Sequence, residues 1–393
     1  MHHNSASRQI VVAGGGLGGL TLAQRLRDSR HRVTVLESRP RNSTAHGYRV
    51  SLKAGGIAAL QSSLPRELFE LVVATRIRQA RQMIFMNPDL TTRFSKPLPL
   101  LDPADALGVN RQTLREILAM GLDIRYDAPV TSYASDGYRV TVHAGDAHYE
   151  ADLLVGADGT NSAVRRQLLP GARLDDLGWA IWGRTPITGS VQAWLPPELD
   201  ETFNRVIHED GAAMSVVTCR THESPSAATR RLGIDHAITD VPDYLSWMVS
   251  PNTSRTDDAA PGALQQQALD TVRGWHPALE QIINGADPAD VFAVRIRSSH
   301  PVDPWHEVPV TLLGDAIHTM SPGRGDGANI AIRDAELLGD LLAQAEDASS
   351  LHAAARQYEA EMLDYGFRAV AASRDHPFAP FTGTSKSGGF PGN

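Results

Sequence analysis

The chain has 393 residues, 42% of them hydrophobic and 21% charged, with a formal net charge of −8. That length exceeds one ordinary core and predicts two domains, while no apolar run is long enough to span a bilayer and no basic block invites nucleic acid. The lone cysteine, Cys219, excludes an internal disulfide framework; with the polar start MHHNSASRQ it predicts a cytoplasmic protein in which Cys219 is an ordinary buried thiol.

RQIVVAGGG reads as a buried parallel strand, LTLAQRLRDS as a helix and HRVTVLESRP as a second strand, which together make a βαβ unit. GYRVSL alternates like a strand, GGIAALQSSL is helical, RQMIFMNPD is a strand, and NRQTLREILAMGL is an amphipathic helix. Short strands with turn signals at Asp136-Gly137 and Gly145-Asp146 then lead to the buried strand DLLVGAD. From about Gly178 to Pro288 the texture changes. AIWGRTPI, FNRVIHED, AAMSVVTC, RLGIDHAI and LSWMVS predict an antiparallel sheet, with a hairpin at Asp210-Gly211 and a helix at ALQQQALDTVRGW. VPVTLLGD returns as a buried strand followed by two helices, and TGTSKSGGFPGN reads as a loose tail. No His/Cys/Asp/Glu group has metal-ligand spacing, and His2 and His3 receive no metal role.

Gly14, Gly16 and Gly19 form G-x-G-x-x-G between the first strand and its helix. Gly14 would make the tight turn, Gly16 admit a pyrophosphate to the backbone, and Gly19 let helix and strand pack closely, with Leu17 opening the helix. Glu37 ends the second strand, where a carboxylate would accept from ribose hydroxyls and repel a 2′-phosphate. The ligand of this loop is therefore NAD or FAD, and the loop does not choose between them.

The stretch GDAIHTMSPGRGDGANIAIRDAELL narrows the choice. A strand delivers Asp315 to a polyol, Pro322 stiffens the turn, and Gly325 and Gly327 let a flat ring approach the backbone. A helix from about Asn329 aims its positive end there. Polyol plus reducible flat ring describes a flavin, so both loops can hold one extended FAD.

Three motifs carry a resemblance to the FAD-dependent aromatic hydroxylases, the group that includes para-hydroxybenzoate hydroxylase and the tetracycline-inactivating monooxygenases. They are the N-terminal fingerprint; GADGTNSAVRR with Asp158, Gly159, Ser162 and Arg165; and Gly314, Asp315, Ala316, His318, Pro322, Gly325, Gly327, Ala328 and Asn329. The resemblance places Arg111 before a helix as a further FAD contact. It implies an α/β fold: a Rossmann-like FAD-binding domain (1–75, 101–175 and 293–345), an inserted mainly antiparallel substrate domain (76–100 and 176–292), and a C-terminal helix and tail (346–393). One departure is visible: relatives usually carry Gln where this chain has Asp326, and a side chain turned to solvent or capping the helix is the easier reading. His318 reads as a turn residue bonded to backbone rather than as a catalytic group.

The same resemblance implies that NADPH or NADH reduces FAD, that O2 adds at the flavin C4a, and that the resulting hydroperoxide oxygenates an aromatic or polycyclic small molecule. A dehydrogenase or non-redox cyclase on the same fold is the alternative, and a monomer or weak dimer is expected. Arg49, Pro322 and Gly327 are the candidate catalytic residues. Arg49, Trp182, Met214 and Thr218 are the candidate substrate residues, although Arg49 reads equally as a surface ion pair and Trp182 and Met214 as sheet-face packing. The reductant is expected to dock transiently, partly through the Asp158–Arg165 motif.

Overall fold

The structure, a computed structural model, describes residues 7–41, 43, 48–253, 262–305 and 309–375. His2, His3 and the segment TGTSKSGGFPGN lie outside the described residues.

Five parallel strands form one sheet in the order Val310–Leu312, Leu153–Gly156, Gln9–Ala13, Arg32–Leu36, Ile124–Arg125. Ile10, Val11, Val12, Leu153, Leu154 and Val155 are fully buried. Both faces are covered, which is why these strands are continuous apolar runs rather than alternating ones. The helices Leu17–Arg25 and Gly327–Ala343 pack on each other, and Gly339 permits the contact, since a Cβ there would lie 2.4 Å from Arg25 Cγ. The C-terminal helix Ala348–Asp375 covers the Gly327–Ala343 helix in turn. Because Gln9–Ala13 lies between two strands reached by opposite excursions, the loops leaving its C-terminal end and that of Leu153–Gly156 part there. Such switch points are where open α/β sheets bind ligands.

The second large sheet has seven strands in the order Phe292–Ser299, Leu174–Pro186, Tyr244–Ser250, Ala213–Cys219, Thr202–Ile207, Gln82–Met86, Thr92–Pro97. All neighbours are antiparallel except Thr202–Ile207 with Gln82–Met86. The helices Ala263–Thr271 and Pro277–Asn284 close its far face over a separate core that includes Met214, Val216, Trp247 and Val249.

Three features depart from the sequence expectations. RLGIDHAI is not a strand: Pro225–Leu232 is a helix, with Ser224 as its N-cap, Pro225 in its first turn and Gly233 closing it at φ 69°. Those start and stop signals outweigh the scattered apolar residues that suggested alternation. Phe292–Ser299 pairs with Leu174–Pro186, so this strand belongs to the larger sheet, whereas a boundary at 292 assigns it to the returning FAD-binding segment. Ala106–Asn110 is a strand that the pattern did not reveal; it pairs antiparallel with Arg49–Lys53. It ends in Asn110, whose side chain accepts from Thr113 N and caps the helix that begins at Arg111.

Candidate active site

At the first glycine loop, Gly14 adopts φ 113°, a conformation costly for any side chain, and donates its N–H to Leu36 O at 2.8 Å. A Cβ on Gly19 would lie 2.2 Å from Gly14 O, whereas a Cβ on Gly16 would meet nothing within 4 Å. Gly14 and Gly19 are thus demanded by the fold, and Gly16 only by what approaches the loop. The helix from Leu17 has no side-chain cap, which leaves its first N–H groups and partial positive charge for an anion.

Glu37 is buried, and its carboxylate has internal partners. Oε2 accepts from Gly15 N at 2.9 Å and pairs with Arg115 Nη2 at 3.2 Å, and Oε1 accepts from Arg39 N at 2.9 Å. Arg115 Nε also donates to Gly15 O at 2.8 Å, so Glu37 and Arg115 grip both polar ends of Gly15. Arg115 was missed in the sequence. Its one signal is its position four residues after Arg111, on the same helix face. A crevice of about 40 Å³ opens beside them, lined by Gly15, Arg41, Gln112, Arg115 and Tyr126.

The second loop begins at Gly314, with φ 61° and ψ −144°, and continues as one helical turn, Asp315–His318. Asp315 is exposed to the cleft but ringed by protein, and desolvation raises its carboxyl above the ordinary range against the opposing pull of His318 and Arg111. His318 is not the backbone-bonded turn residue expected; its Nε2 pairs with Asp334 Oδ2 at 2.7 Å, and neither side chain is exposed. The long helix starts at Gly327, two residues before the expected Asn329. Asp326 occupies the N-cap position but makes no side-chain cap bond; it pairs instead with Lys53 and with Arg324 at 3.0 Å. The carboxylate that departs from the family pattern is thereby held between two cations. Asn329 brackets the loop: Oδ1 accepts from Lys53 N at 2.8 Å, and Nδ2 donates to Ser51 O at 2.9 Å and Gly325 O at 2.8 Å.

The middle motif joins the other two from inside. Asp158 Oδ2 accepts from Ala163 N at 2.7 Å, and Ser162 caps the same short helix. Arg165 is buried; it donates to Ala316 O and Thr160 O, both at 2.7 Å. Asp158 and Arg165 therefore do not line the cleft, though Gly159 between them does.

Both glycine loops open on one cleft of about 460 Å³. Gly16, Leu17 and Gly19 reach it from the first loop, and Gly314, Asp315, Pro322, Gly325, Gly327 and Ala328 from the second. Arg111 lies at its edge with its guanidinium 5.7 Å from the Tyr48 ring centre, and Arg49 lines it with Nη1 donating to Ser51 Oγ at 2.7 Å. Among the ion pairs of the described residues none holds Arg49, so the surface ion pair weighed for it is not formed there. The donor set fits a single extended dinucleotide: two uncapped helix N-termini, an accessible loop backbone at Gly16, and a carboxylate at the floor.

The seven-stranded sheet forms the opposite wall. Cross-strand partners share a face, and register aligns Trp182, Met248 and Ser215 in one row and Ser246, Val217 and Phe203 in the next; all six line the cleft. Trp182 is thus on the expected side, 5.2 Å from the Tyr48 ring. Met214 and Thr218 are not. Met214 pairs with Val249 in the core beneath the sheet, and Thr218 Oγ1 accepts from Glu201 N at 3.0 Å and donates to Leu199 O at 3.2 Å. Residues one position away, Ser215 and Val217, take their place, because alternate side chains point to opposite faces. Cys219 is buried as expected, and burial pushes its thiol up to about 11. Among the described residues no helix is long and apolar enough to cross a membrane, and no group of three or more His, Cys, Asp or Glu could hold a metal ion.

Comparison with known proteins agrees with this geometry. A family model described as FAD binding domain matches residues 7–373. A dual O-methyltransferase/FAD-dependent monooxygenase of Phaeosphaeria nodorum is 30% identical over 85% of this chain and 40% of its own length. An aurachin C monooxygenase/isomerase of Stigmatella aurantiaca is 27% identical over 93% of this chain and 87% of its own. A solved structure from Photorhabdus luminescens, described as an FAD-containing monooxygenase, superposes with a TM-score of 0.77 at 28% identity, covering 96% of this chain and all of that one. The chain spans about half the length of several curated relatives, from 40% to 56%. With the family model reaching from the first strand to the last helix, and both glycine loops on one cleft, this chain belongs to the FAD-binding-domain family and binds FAD.

Proposed function

We propose that the chain is an FAD-dependent monooxygenase, cytoplasmic and monomeric or weakly dimeric, that uses NADPH or NADH and O2 to oxygenate an aromatic or polycyclic small molecule. The observation that carries this reading is the two-row wall of Trp182, Met248, Ser215, Ser246, Val217 and Phe203 facing the loop that begins at Gly314, across one cleft. A flat apolar substrate suits such a wall. The names of relatives point to the same reaction class, from a dual O-methyltransferase/FAD-dependent monooxygenase to an aurachin C monooxygenase/isomerase.

Bound FAD supplies the redox chemistry and the activation of O2. The protein's tasks are positional. The uncapped N–H groups at Gly327 and Ala328 would hold the flavin ring and favour added negative charge there, as an oxyanion hole does. Pro322 accepts from Gly325 N at 2.9 Å and keeps that turn closed. The apolar wall excludes water from the reacting atoms. Arg49 faces the cleft as a cation suited to a phenolate or enolate oxygen. With Arg165 committed inside, the guanidiniums available at the second motif are Arg166, bonded to Asn161 O at 2.5 Å, and Arg297, bonded to Asn161 Oδ1 at 2.8 Å. These suit the phosphates of a transient nicotinamide dinucleotide.

The test is to mix the yellow protein anaerobically with NADPH or NADH, then with oxygen, alone and with a panel of phenolic polycycles. Bleaching that quickens with one ligand, followed by that ligand gaining one oxygen atom, is the expected result. Protein that stays yellow with both reductants and every ligand would overturn the reading.

A further inference from the structure

We propose that the buried cluster His318–Asp334–Tyr365 is a positioning device of the FAD site, a charge pair that holds the Gly314–His318 turn in shape and sets the electrostatic potential at the cleft floor beside Asp315. The inference rests on FAD occupying that cleft and not on oxygen transfer.

Three donors converge on one carboxylate, two from the Gly314–His318 turn and one from the C-terminal helix. Gly314 N donates to Asp334 Oδ2 at 2.8 Å, His318 Nε2 reaches the same oxygen at 2.7 Å, and Tyr365 OH donates to Oδ1 at 2.6 Å. Gly314 and His318 are the two ends of the turn that presents Asp315 to the cleft. One oxygen of Asp334 therefore pins both ends of that turn, while the C-terminal helix, through Tyr365, fixes the other oxygen. His318 and Asp334 have no exposure, and Tyr365 has 6%. The fold makes room for the ring: a Cβ on Gly366 would lie 2.7 Å from His318 Cδ2.

The chemistry of the pair suits charge rather than mere shape. Burial works against an imidazolium at His318, but the Asp334 charge and hydrogen bond outweigh it and raise its pKa above the ordinary value. Tyr365 is pushed far up by burial and by Asp334, so it stays a phenol that donates. Arg333 lies over the Tyr365 ring, 4.0 Å from its centre. Asp315 lies within the turn and Asp334 binds both its ends, and positive charge at His318 offsets the effect of Asp334 on Asp315. A field of this kind acts differently on the oxidised and the reduced, more anionic ring without touching either.

The test measures the midpoint potential of the bound flavin by equilibrium reduction against a reference dye, together with FAD affinity, in His318→Gln, Asp334→Asn and the double variant. No nicotinamide, O2 or substrate is needed, so failure of the monooxygenase reading leaves this test intact. His318→Gln keeps a donor but removes the cation. Its FAD should favour the oxidised state by about tenfold more than wild type, about 30 mV for a two-electron couple. Asp334→Asn removes the charge that sustains the imidazolium, so both charges are lost together, and its potential and that of the double variant should lie closer to wild type than that of His318→Gln. An unchanged potential in His318→Gln, or a shift in Asp334→Asn as large as that in His318→Gln, would overturn the proposal even if FAD affinity falls. If those variants do not fold, Tyr365→Phe keeps the ring and removes one donor to Asp334. Its potential should fall in the same direction as that of His318→Gln, and an unchanged potential would overturn the proposal.

Discussion

Replacing the three glycines of the first loop by alanine, one at a time, separates what the fold needs from what the cofactor needs. At Gly16 the backbone is extended, φ −79° and ψ −177°, and a Cβ meets nothing within 4 Å. Two small terms oppose each other. Alanine restricts the unfolded chain, stabilising by about 0.4–1 kcal/mol, and is a poorer N-cap than glycine by a similar amount. Gly16→Ala should therefore leave the stability of the FAD-free protein within about 1 kcal/mol of wild type. The new methyl group nonetheless stands where the loop backbone meets the cleft, so FAD affinity should fall tenfold or more, roughly 1.4 kcal/mol or above. Gly19→Ala should behave in the opposite way. Its Cβ would sit 2.2 Å from Gly14 O, a backbone atom that cannot move without disturbing the first strand, and overpacking of this kind costs about 1–3 kcal/mol or more. Gly14→Ala adds a left-handed strain at φ 113° to a 2.3 Å contact with Ala157 O and should be the least stable of the three. Denaturant unfolding without FAD and flavin-fluorescence titration with FAD measure the two quantities. A Gly16→Ala protein that binds FAD like wild type, or that unfolds as early as Gly19→Ala, would refute the reasoning.

Three further outcomes are expected. Met214→Ala should cost about 2–5 kcal/mol by cavity formation while leaving ligand binding nearly unchanged, whereas Val217→Phe should alter the affinity for aromatic ligands, measured by flavin spectral perturbation, with a much smaller effect on unfolding. Burial pushes the Glu359 carboxyl up to about 8 from an ordinary 4.5. The native state then holds a proton that the unfolded state has lost, so stability should decline as pH rises from 4.5 to 8; Glu359→Gln should flatten that decline by a few kcal/mol in pH-dependent unfolding curves. Cys219, fully enclosed and with its thiol pushed up to about 11, should resist a thiol reagent at pH 8 until the protein is unfolded; immediate labelling of the native protein would contradict the buried placement.

Local chemistry accounts for what could be read directly from the chain. A tight turn, a close backbone approach and a helix start each demand a residue type at a fixed spacing, so Gly14, Gly16 and Gly19, and then Gly314, Asp315, Gly325 and Gly327, reveal two ligand loops without any tertiary information. The buried parallel strands are legible for a similar reason, since a strand covered on both faces is an unbroken apolar run. Which face of the larger sheet meets the cleft is another matter. The strand AAMSVVTC has apolar residues at both parities, so its alternation is silent, and the answer comes only from pairing with Tyr244–Ser250 and from the helices that close the far side. Met214 and Thr218 were therefore assigned one residue out of step.

Charged side chains show the same limit. Glu37, Arg165 and Asn329 sit in motif positions, but their partners are distant in sequence: Arg115, Ala316 and Lys53 respectively. His318 and Asp334 lie on separate helices and meet Tyr365 on a third. Spacing within a motif specifies a backbone shape, whereas the partner of a buried charge depends on which elements the fold packs together. The chain thus announces an FAD site through its glycines, and only packing decides which of the charges around that site face the ligand and which hold the loops in place.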